Sequence, residues 1–378
     1  MATSSLSALT LVEATPEQEV DACKRTHVQW SRGMGMKEYI ERDRIMSQQE
    51  HSSEGKWKTW VLVPRDNPTT LDFMCSCETF RRKGVMSKPG DTHTRQVICY
   101  GVASVFTPAS KRGHGYASHM MRLLHWVLAP HFALPDFPAE WGSPPPNGPH
   151  DAQFSVLYSD VGSDFYHNCG PKLGEKSGWT ATGAISTSWA VTGDDRPQVH
   201  DSTWDMLTAE GADYIWEADS QIMAEDVLSL SQTMGQTTFS FLPNAGVGQF
   251  TIQRCMQLDA DLKPILDDFW GISRVGHPNA SVFATWTFEP GTKTMVLTRL
   301  RASPAEFPPL LTKIKEIAAT FDKDTVEAWN LPCHLKDAAE RTGGQTFARH
   351  DHLSSVKWYG PEPTNQIKWA FNEKFSWC

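Results

Sequence analysis

The residues best able to do chemistry in this 378-residue chain gather in one run, Val102-Ala-Ser-Val-Phe-Thr-Pro-Ala-Ser-Lys-Arg-Gly-His-Gly-Tyr-Ala-Ser118. A β-branched stretch leads into a glycine-bearing turn, and Ala117, Met120, Met121, Leu124 and Val127 then recur at helical spacing. Such a turn binds anions. The first N–H groups of a helix have no intrahelical partner and carry the positive end of its macrodipole. Gly113 and Gly115 carry no Cβ, so a phosphate can approach the main chain, and Lys111 and Arg112 add cations beside it. The run is neither a dinucleotide fingerprint, which would place a glycine at Ser118, nor a P-loop, which would follow Gly-Lys with Ser or Thr.

Directly behind the strand, Arg112-x-x-Gly115-x-Ala117 resembles the acetyl-CoA signature of the GCN5-related N-acetyltransferases (GNATs), Arg/Gln-x-x-Gly-x-Gly/Ala, in the variant preceded by Val-x-Thr-Pro. A second stretch, Phe154-Ser-Val-Leu-Tyr-Ser-Asp-Val-Gly-Ser-Asp-Phe-Tyr-His-Asn-Cys-Gly170, resembles the fifth strand and following helix of that fold, ending in the family's Phe-Tyr-x-x-x-Gly. Pro171 stands where the family usually has an aromatic, so the entry to the next strand is expected to differ. The resemblance implies an α/β (α+β) fold with a mixed, mainly antiparallel sheet flanked by helices, and acetyl-CoA as acyl donor. It implies that the main chain of Val105 and Thr107, on either side of Phe106, contacts the acetyl-pantetheine arm. It gives the pyrophosphate to Arg112, Gly113, Gly115, Tyr116 and Ala117, with Lys111, His114 and Ser118 in the same binding stretch. It makes Tyr166 the acid that protonates the departing thiolate. A phenol with a pKa near 10 is protonated at pH 7 and can still donate; without the motif, Tyr166 reads as a packed helical aromatic.

The acceptor is the harder half of the reaction. A lysine ε-amine must first lose a proton, which costs about 4–5 kcal/mol at pH 7, so a base is expected. Asp160, Glu78, Glu373 and the α-carboxylate of Cys378 are all open candidates. The two motifs, with the closing Lys357-Trp-Tyr-Gly and Asn372-Glu-Lys-Phe, resemble the fungal L-lysine N6-acetyltransferases of lysine catabolism over most of the chain. That resemblance implies transfer to the N6-amine of free L-lysine. The alternatives are an acetyltransferase for a xenobiotic or antibiotic amine, a protein-lysine acetyltransferase, and a non-catalytic acyl-CoA-binding protein. Free lysine needs an apolar channel for its methylenes and charged partners for its α-groups. Trp30, Trp60 and the tail tryptophans are candidate walls or plain core.

The net charge of −9, with no Lys/Arg cluster interleaved with aromatics, argues against nucleic acid as a partner and leaves a small-molecule amine as the expected one. No apolar run reaches membrane-spanning length, and Met1-Ala-Thr-Ser-Ser-Leu has no signal-peptide character, so a cytoplasmic location is expected; the oligomeric state is open. The eight cysteines are scattered and read as buried, reduced thiols. Cys75 and Cys77 alternate along a strand rather than forming a zinc pattern, and no metal is expected.

The positioning elements follow from local pattern. Strands are expected at 9–13, 56–63, 71–82 and 96–107, with 85–91 a ragged end or loop, and helices at 16–30 and 36–47. Thr15-Pro-Glu-Gln18 supplies a capping box and an N-terminal proline for the first helix. The proline-rich stretch 130–150 is expected to be an inserted loop, either padding against a neighbouring domain or a lid. Residues 179–191 are expected to finish the first sheet. The organisation is then a GNAT-type catalytic domain at 1–192, a linker at 193–200 and a second α/β domain at 201–378. In the latter, after a helix at 218–234, strands at 281–288 and 294–301, a helix at 304–321, a strand at 325–330 and a helix at 333–342 repeat the first domain's core order. It reads as a degenerate GNAT-like copy without the phosphate turn, contributing to the acceptor site. The aromatic tail 358–378 is expected to fold back, closing the second domain's sheet or entering the cleft.

Overall fold

The computed structural model describes residues 5–195, 202–258, 269–276, 281–289 and 291–378, so the expected linker beyond Asp195 lies outside the described residues. The chain opens with β1 (Leu9–Glu13) and α1 (Pro16–Trp30). The capping box forms as expected: the Gln18 N–H donates to Thr15 Oγ1 at 3.3 Å and the Thr15 N–H to Gln18 Oε1 at 2.9 Å. After α2 (Met36–Ser47), the strands β2 (Trp57–Pro64), β3 (Cys75–Ser87) and β4 (Arg95–Phe106) meander antiparallel. The crossover helix α3 (Tyr116–Leu128) returns the chain to β5 (Phe154–Ser159), parallel to β4. Then come α4 (Asp164–His167), β6 (Thr180–Ala181) and β7 (Ile185–Ala190).

The later part supplies β8 (Trp204–Leu207), α5 (Ala209–Met234), β9 (Thr237–Phe241), α6 (Gln249–Leu258), β10 (Gly271–Arg274), β11 (Phe283–Phe288) and β12 (Thr294–Arg301). It continues through α7 (Phe307–Thr320), β13 (Thr325–Trp329), α8 (Lys336–Arg341), β14 (Gln345–Ala348), β15 (Leu353–Trp358) and β16 (Ile367–Trp369). One sheet has the order β1-β2-β3-β4-β5-β15-β6, with β9 added to the far end of β3 and β16 to β9; the other has the order β14-β7-β13-β12-β11-β10-β8. The unit β11-β12-α7-β13, in which β12 and β13 run parallel, repeats β3-β4-α3-β5. The fold is therefore two mixed, mainly antiparallel sheets flanked by helices.

The two sheets exchange strands. β7 leaves the first sheet and pairs with β13, while β15 comes back from the second unit and inserts between β5 and β6. Residues 179–191 thus divide: only β6 ends the first sheet, because β15 takes the place beside β5 that the expected arrangement gave to β7. The region 85–91 also differs from expectation, since Gly84–Ser87 continue β3 by pairing with β9, a strand about 150 residues away that local pattern does not reveal. The helix expected at 218–234 starts earlier, at Ala209, where Thr208 caps it. The proline-rich stretch pads its own unit's helix: Phe137 stacks edge-on against Trp126 of α3 at 4.9 Å, and Arg65 donates to the carbonyls of Trp141 and Ser143.

Alternation along β4 and β5 sends apolar side chains to both faces of the first sheet. One face, with Val102 and Leu157, packs on Met120, Met121, Leu124 and Val127 of α3. The other, with Phe154 and Val156, packs on Met223 and Val227 of α5 and on Phe239, Trp358 and Trp369. Each such fully buried side chain contributes about 1.5–3 kcal/mol. The tail closes this second face through β16, on the first sheet rather than the second, and its last residues enter the cleft described below. A buried ion cluster fastens tail to helix. Arg299 pairs with Asp219 at 2.7 Å and with Glu373, and Arg301 joins Asp219 at 2.6 Å and Asp226 at 2.9 Å. All eight cysteines are free, and six are buried; Cys333 is exposed because it lies in a short turn before α8, and Cys378 is half-buried. No helix among the described residues is long and apolar enough to cross a membrane.

Candidate active site

The site begins where β4 and β5 separate. Their pairing runs from Cys99–Val102 against Phe154–Leu157 and stops, although β4 continues to Phe106 and β5 to Ser159. A bulge causes the parting: between the pairs Ser76–Phe106 and Glu78–Ala103, β4 carries one more residue than β3. Ser104 absorbs it in the left-handed region at φ 52°, and its hydroxyl donates to Glu78 Oε2 at 2.8 Å. The bulge therefore opens the sheet and places a carboxyl group at the opening.

Past the strand, Gly113 and Gly115 take φ values of 81° and 77°, and Gly115 caps α3. Nothing lies within 4 Å of where a Cβ would stand on Gly113, so the main chain is open to a ligand beside the free N–H groups of the helix. A cleft of about 650 Å³ lies against this region. Of the residues expected to bind acetyl-CoA, Val105, Phe106, Thr107, Arg112 and Ala117 line the cleft, and so does Tyr166. Gly113, His114, Gly115, Tyr116 and Ser118 form the adjoining turn and first helical turn, with Tyr116 buried under it. Lys111 is drawn aside to Asp72, at 2.5 Å, and Arg112 donates to the Thr107 carbonyl at 3.0 Å. The open glycine turn and the parted strands fit a phosphorylated thioester donor such as acetyl-CoA. Among the described residues no three His, Cys, Asp or Glu side chains converge as metal ligands.

The four candidate bases separate on geometry. Glu373 is held by Arg299 and by the Leu300 N–H at 2.9 Å, away from the cleft. Asp160 lines the cleft, but the His352 N–H donates to it at 2.8 Å and the ring lies at 3.0 Å. Burial pushes the Asp160 carboxyl up, and these His352 contacts outweigh that and hold it below the ordinary range. Cys378 lines the cleft at the end of the tail. Glu78 differs from all three. Burial, reinforced by the charge of Asp43, pushes its carboxyl up to about 7, against the opposing pull of Ser104 and Arg42. Burial likewise pushes the half-buried Tyr166 phenol up, which keeps it protonated at neutral pH.

The remaining walls come from elements with no motif. Tyr39, Arg42 and Asp43 of α2 face the cleft, with the Arg42 guanidinium over the Tyr39 ring at 4.1 Å and paired with Asp43 at 3.2 Å. His51, Phe250 and Arg254 of α6, and Trp377 of the tail also line it. Trp30 is in the cleft wall, edge-on to Phe106 at 5.9 Å, whereas Trp60 is core, its indole N–H donating to Thr79. The resemblance implies that the helix at 36–47 borders the acceptor site, and Arg42 and Asp43 of that helix do line the cleft, though neither was singled out; sequence reading missed Ser104, His51 and Arg254. For Arg254 the available signal was its four-residue spacing from Phe250, which shares a helical face.

Residues 188–378 match the family described as the LYC1 GNAT-like C-terminal domain. A lysine acetyltransferase of Yarrowia lipolytica is 25% identical over 186 residues, which cover 49% of this chain and 44% of that protein, so the match spans less than half the relative's length. A probable N-acyltransferase of Enterococcus faecalis superposes with a TM-score of 0.55 at 9% identity, over 93% of this chain and 72% of that one. A GCN5-related N-acetyltransferase of Kribbella flavida gives 0.50 at 14% identity, over 92% and 70%. These two likenesses concern the fold.

Proposed function

This chain belongs to the family of the LYC1 GNAT-like C-terminal domain, and from that premise we propose that it is an acetyl-CoA-dependent N-acetyltransferase whose acceptor is the N6-amine of free L-lysine. The observation that carries the reading is the place of Glu78, half-buried at the opened sheet and bonded by Ser104, in the same cleft as Tyr166 and the parted strands, with its carboxyl pushed up to about 7. Acetyl-CoA, when bound, supplies an acetyl group activated as a thioester. Val105 and Thr107 offer main-chain N–H groups along the arm of that ligand, and the turn from Arg112 to Ala117 takes its pyrophosphate. Glu78, ionised, accepts one proton from the acceptor's ε-ammonium and leaves a neutral amine able to attack the thioester carbonyl. The new C–N bond replaces the C–S bond, and Tyr166 holds the proton that the departing sulfur takes up; the second ammonium proton leaves to solvent. The tryptophan-lined wall at Trp30 and Trp377 suits the four methylenes of lysine.

The relative named a lysine acetyltransferase supports the choice of acceptor, and the eight free thiols favour a reducing, cytoplasmic setting. The test is thiol release from acetyl-CoA with L-lysine, ornithine, polyamines, an aminoglycoside and a histone peptide. Turnover confined to L-lysine, with acetate on Nε, is the expected result. Turnover with the aminoglycoside alone would move the protein to the xenobiotic class. Acetyl-CoA binding with no turnover on any amine would sink the enzyme reading.

A further inference from the structure

Three arginines line the cleft, and two of them are engaged: Arg42 with Asp43 at 3.2 Å, and Arg112 with the Thr107 carbonyl at 3.0 Å. The third, Arg254, makes neither an ion pair nor a hydrogen bond among the described residues; its guanidinium lies over the Trp377 ring, 4.6 Å from the centroid. Burial lowers its pKa to about 10, which marks a guanidinium withdrawn from water without a carboxylate in contact. The carboxylate that acts on it from further off is Glu289, already ion-paired with Lys374 at 2.7 Å, and Arg32 and Arg42 add like charge. Among the buried arginines, Arg299 has two carboxylate partners, and Arg82 and Arg349 donate to the main-chain carbonyls of Ser376 and Ile185; Arg254 has neither kind of partner among the described residues. A half-buried, unmatched cation facing a cleft is a site that still has an anion to receive.

A second group points the same way. His51 is 2% exposed, lines the cleft, and has neither ring nitrogen bonded. Its ring meets Phe250 edge-on at 5.0 Å, and Phe250 stands one helical turn before Arg254 on α6. Burial holds the imidazole pKa at about 3, so at neutral pH it is uncharged and offers a lone pair to an ammonium group. α6 and the residues beside it thus present an anion receptor and a neutral acceptor on one wall.

Building on the lysine reading above, we propose that Arg254 receives the α-carboxylate of the acceptor, with His51 beside its α-ammonium, so that the second structural unit selects an amino acid over other amines. The fork of a guanidinium matches a carboxylate in two parallel hydrogen bonds, a contact that neither a polyamine nor an aminoglycoside can make.

The test compares L-lysine with L-lysinamide, which keeps both amines and replaces the carboxylate by a neutral amide. Wild-type protein is expected to prefer L-lysine by roughly 100-fold in kcat/KM, chiefly through KM. Arg254→Gln is expected to erase that preference while leaving L-lysinamide turnover within about threefold, and Arg254→Lys to restore part of it. The unchanged amide turnover shows that the variant is folded. Calorimetric titration of L-lysine into CoA-loaded protein gives a readout apart from activity: binding that weakens in Arg254→Gln supports the site. Equal handling of lysine and its amide by the wild type, or equal loss of both in Arg254→Gln, overturns it. Lysine binding that depends on Arg254 without acetyl transfer would keep this inference and sink the enzymatic reading; absence of lysine binding to the wild type would sink this inference by itself.

Discussion

Glu78 and Tyr166 owe their chemistry to burial rather than to residue type. A carboxyl with a pKa of about 7 is half ionised at neutrality, strong enough as a base to take a proton and weak enough to return it. If it is the base, kcat/KM should rise with pH through about 7, because only the ionised carboxylate accepts a proton. Glu78→Gln should lower kcat/KM by roughly 100-fold or more and abolish that limb of the pH profile. Stability should move the other way. The folded pKa lies above the ordinary carboxylate value, so the folded protein holds this proton more tightly than the unfolded chain. Its stabilising effect is complete at low pH and is lost as pH rises through about 7. Denaturant unfolding at pH 5 and pH 8 should therefore show Glu78→Gln gaining stability relative to wild type at the higher pH. Tyr166→Phe is expected to reduce kcat by roughly 100-fold while acetyl-CoA affinity, measured by calorimetry, stays unchanged. An equal loss of affinity would make Tyr166 a packing residue.

At the scale of elements, the two parallel crossovers differ in what their helix starts offer an anion. α3 starts after two glycines in the left-handed region, with its first N–H groups open. α7 follows Glu306 and starts with Phe307-Pro308-Pro309; the prolines lack the N–H donors and the glutamate repels an anion. The second crossover has the same topology without an open helix start. The ion cluster of Asp219, Arg299, Arg301 and Glu373 has a different task, fastening α5 and the tail to β12 in a region sealed from water. Asp219→Ala leaves two guanidinium groups without their shared carboxylate, Arg299 fully buried, and is expected to cost about 3–5 kcal/mol in denaturant unfolding. A loss below about 1 kcal/mol would show that water or a neighbouring carboxylate replaces it.

For the whole molecule, the exchanged strands are the main consequence. β15 fills the place between β5 and β6, and β7 the place between β13 and β14, so each sheet is closed by a strand from the other unit. A fragment of residues 1–192 would leave β5 with an unpaired edge and Phe154 and Val156 without α5 above them. Expressed alone it is expected to aggregate or stay unfolded by circular dichroism, and to become soluble and helical when co-expressed with residues 193–378. An independently folded, monomeric 1–192 fragment would contradict this. The same closure brings Arg254 and Trp377 into a cleft whose parted strands belong to the first unit.

The sequence by itself determined what depends on neighbours along the chain. The capping box at Thr15 and Gln18, the glycine turn at Gly113 and Gly115, the amphipathic face of α3 and the Phe-Tyr-x-x-x-Gly run are local devices, legible because backbone conformation and period are set within a few residues. The glycine turn and the strand before it were readable for that reason. Which carboxylate is placed in the cleft without a cationic or main-chain partner holding it was not, since Glu78, Asp160 and Glu373 are alike as residues and differ only in burial and partners. The exchange of β7 and β15, the pairing of β9 with β3 and the unmatched charge of Arg254 were likewise decided by contacts between residues far apart in the chain. Burial and charge matching are properties of assembled space, and only the tertiary structure sets them.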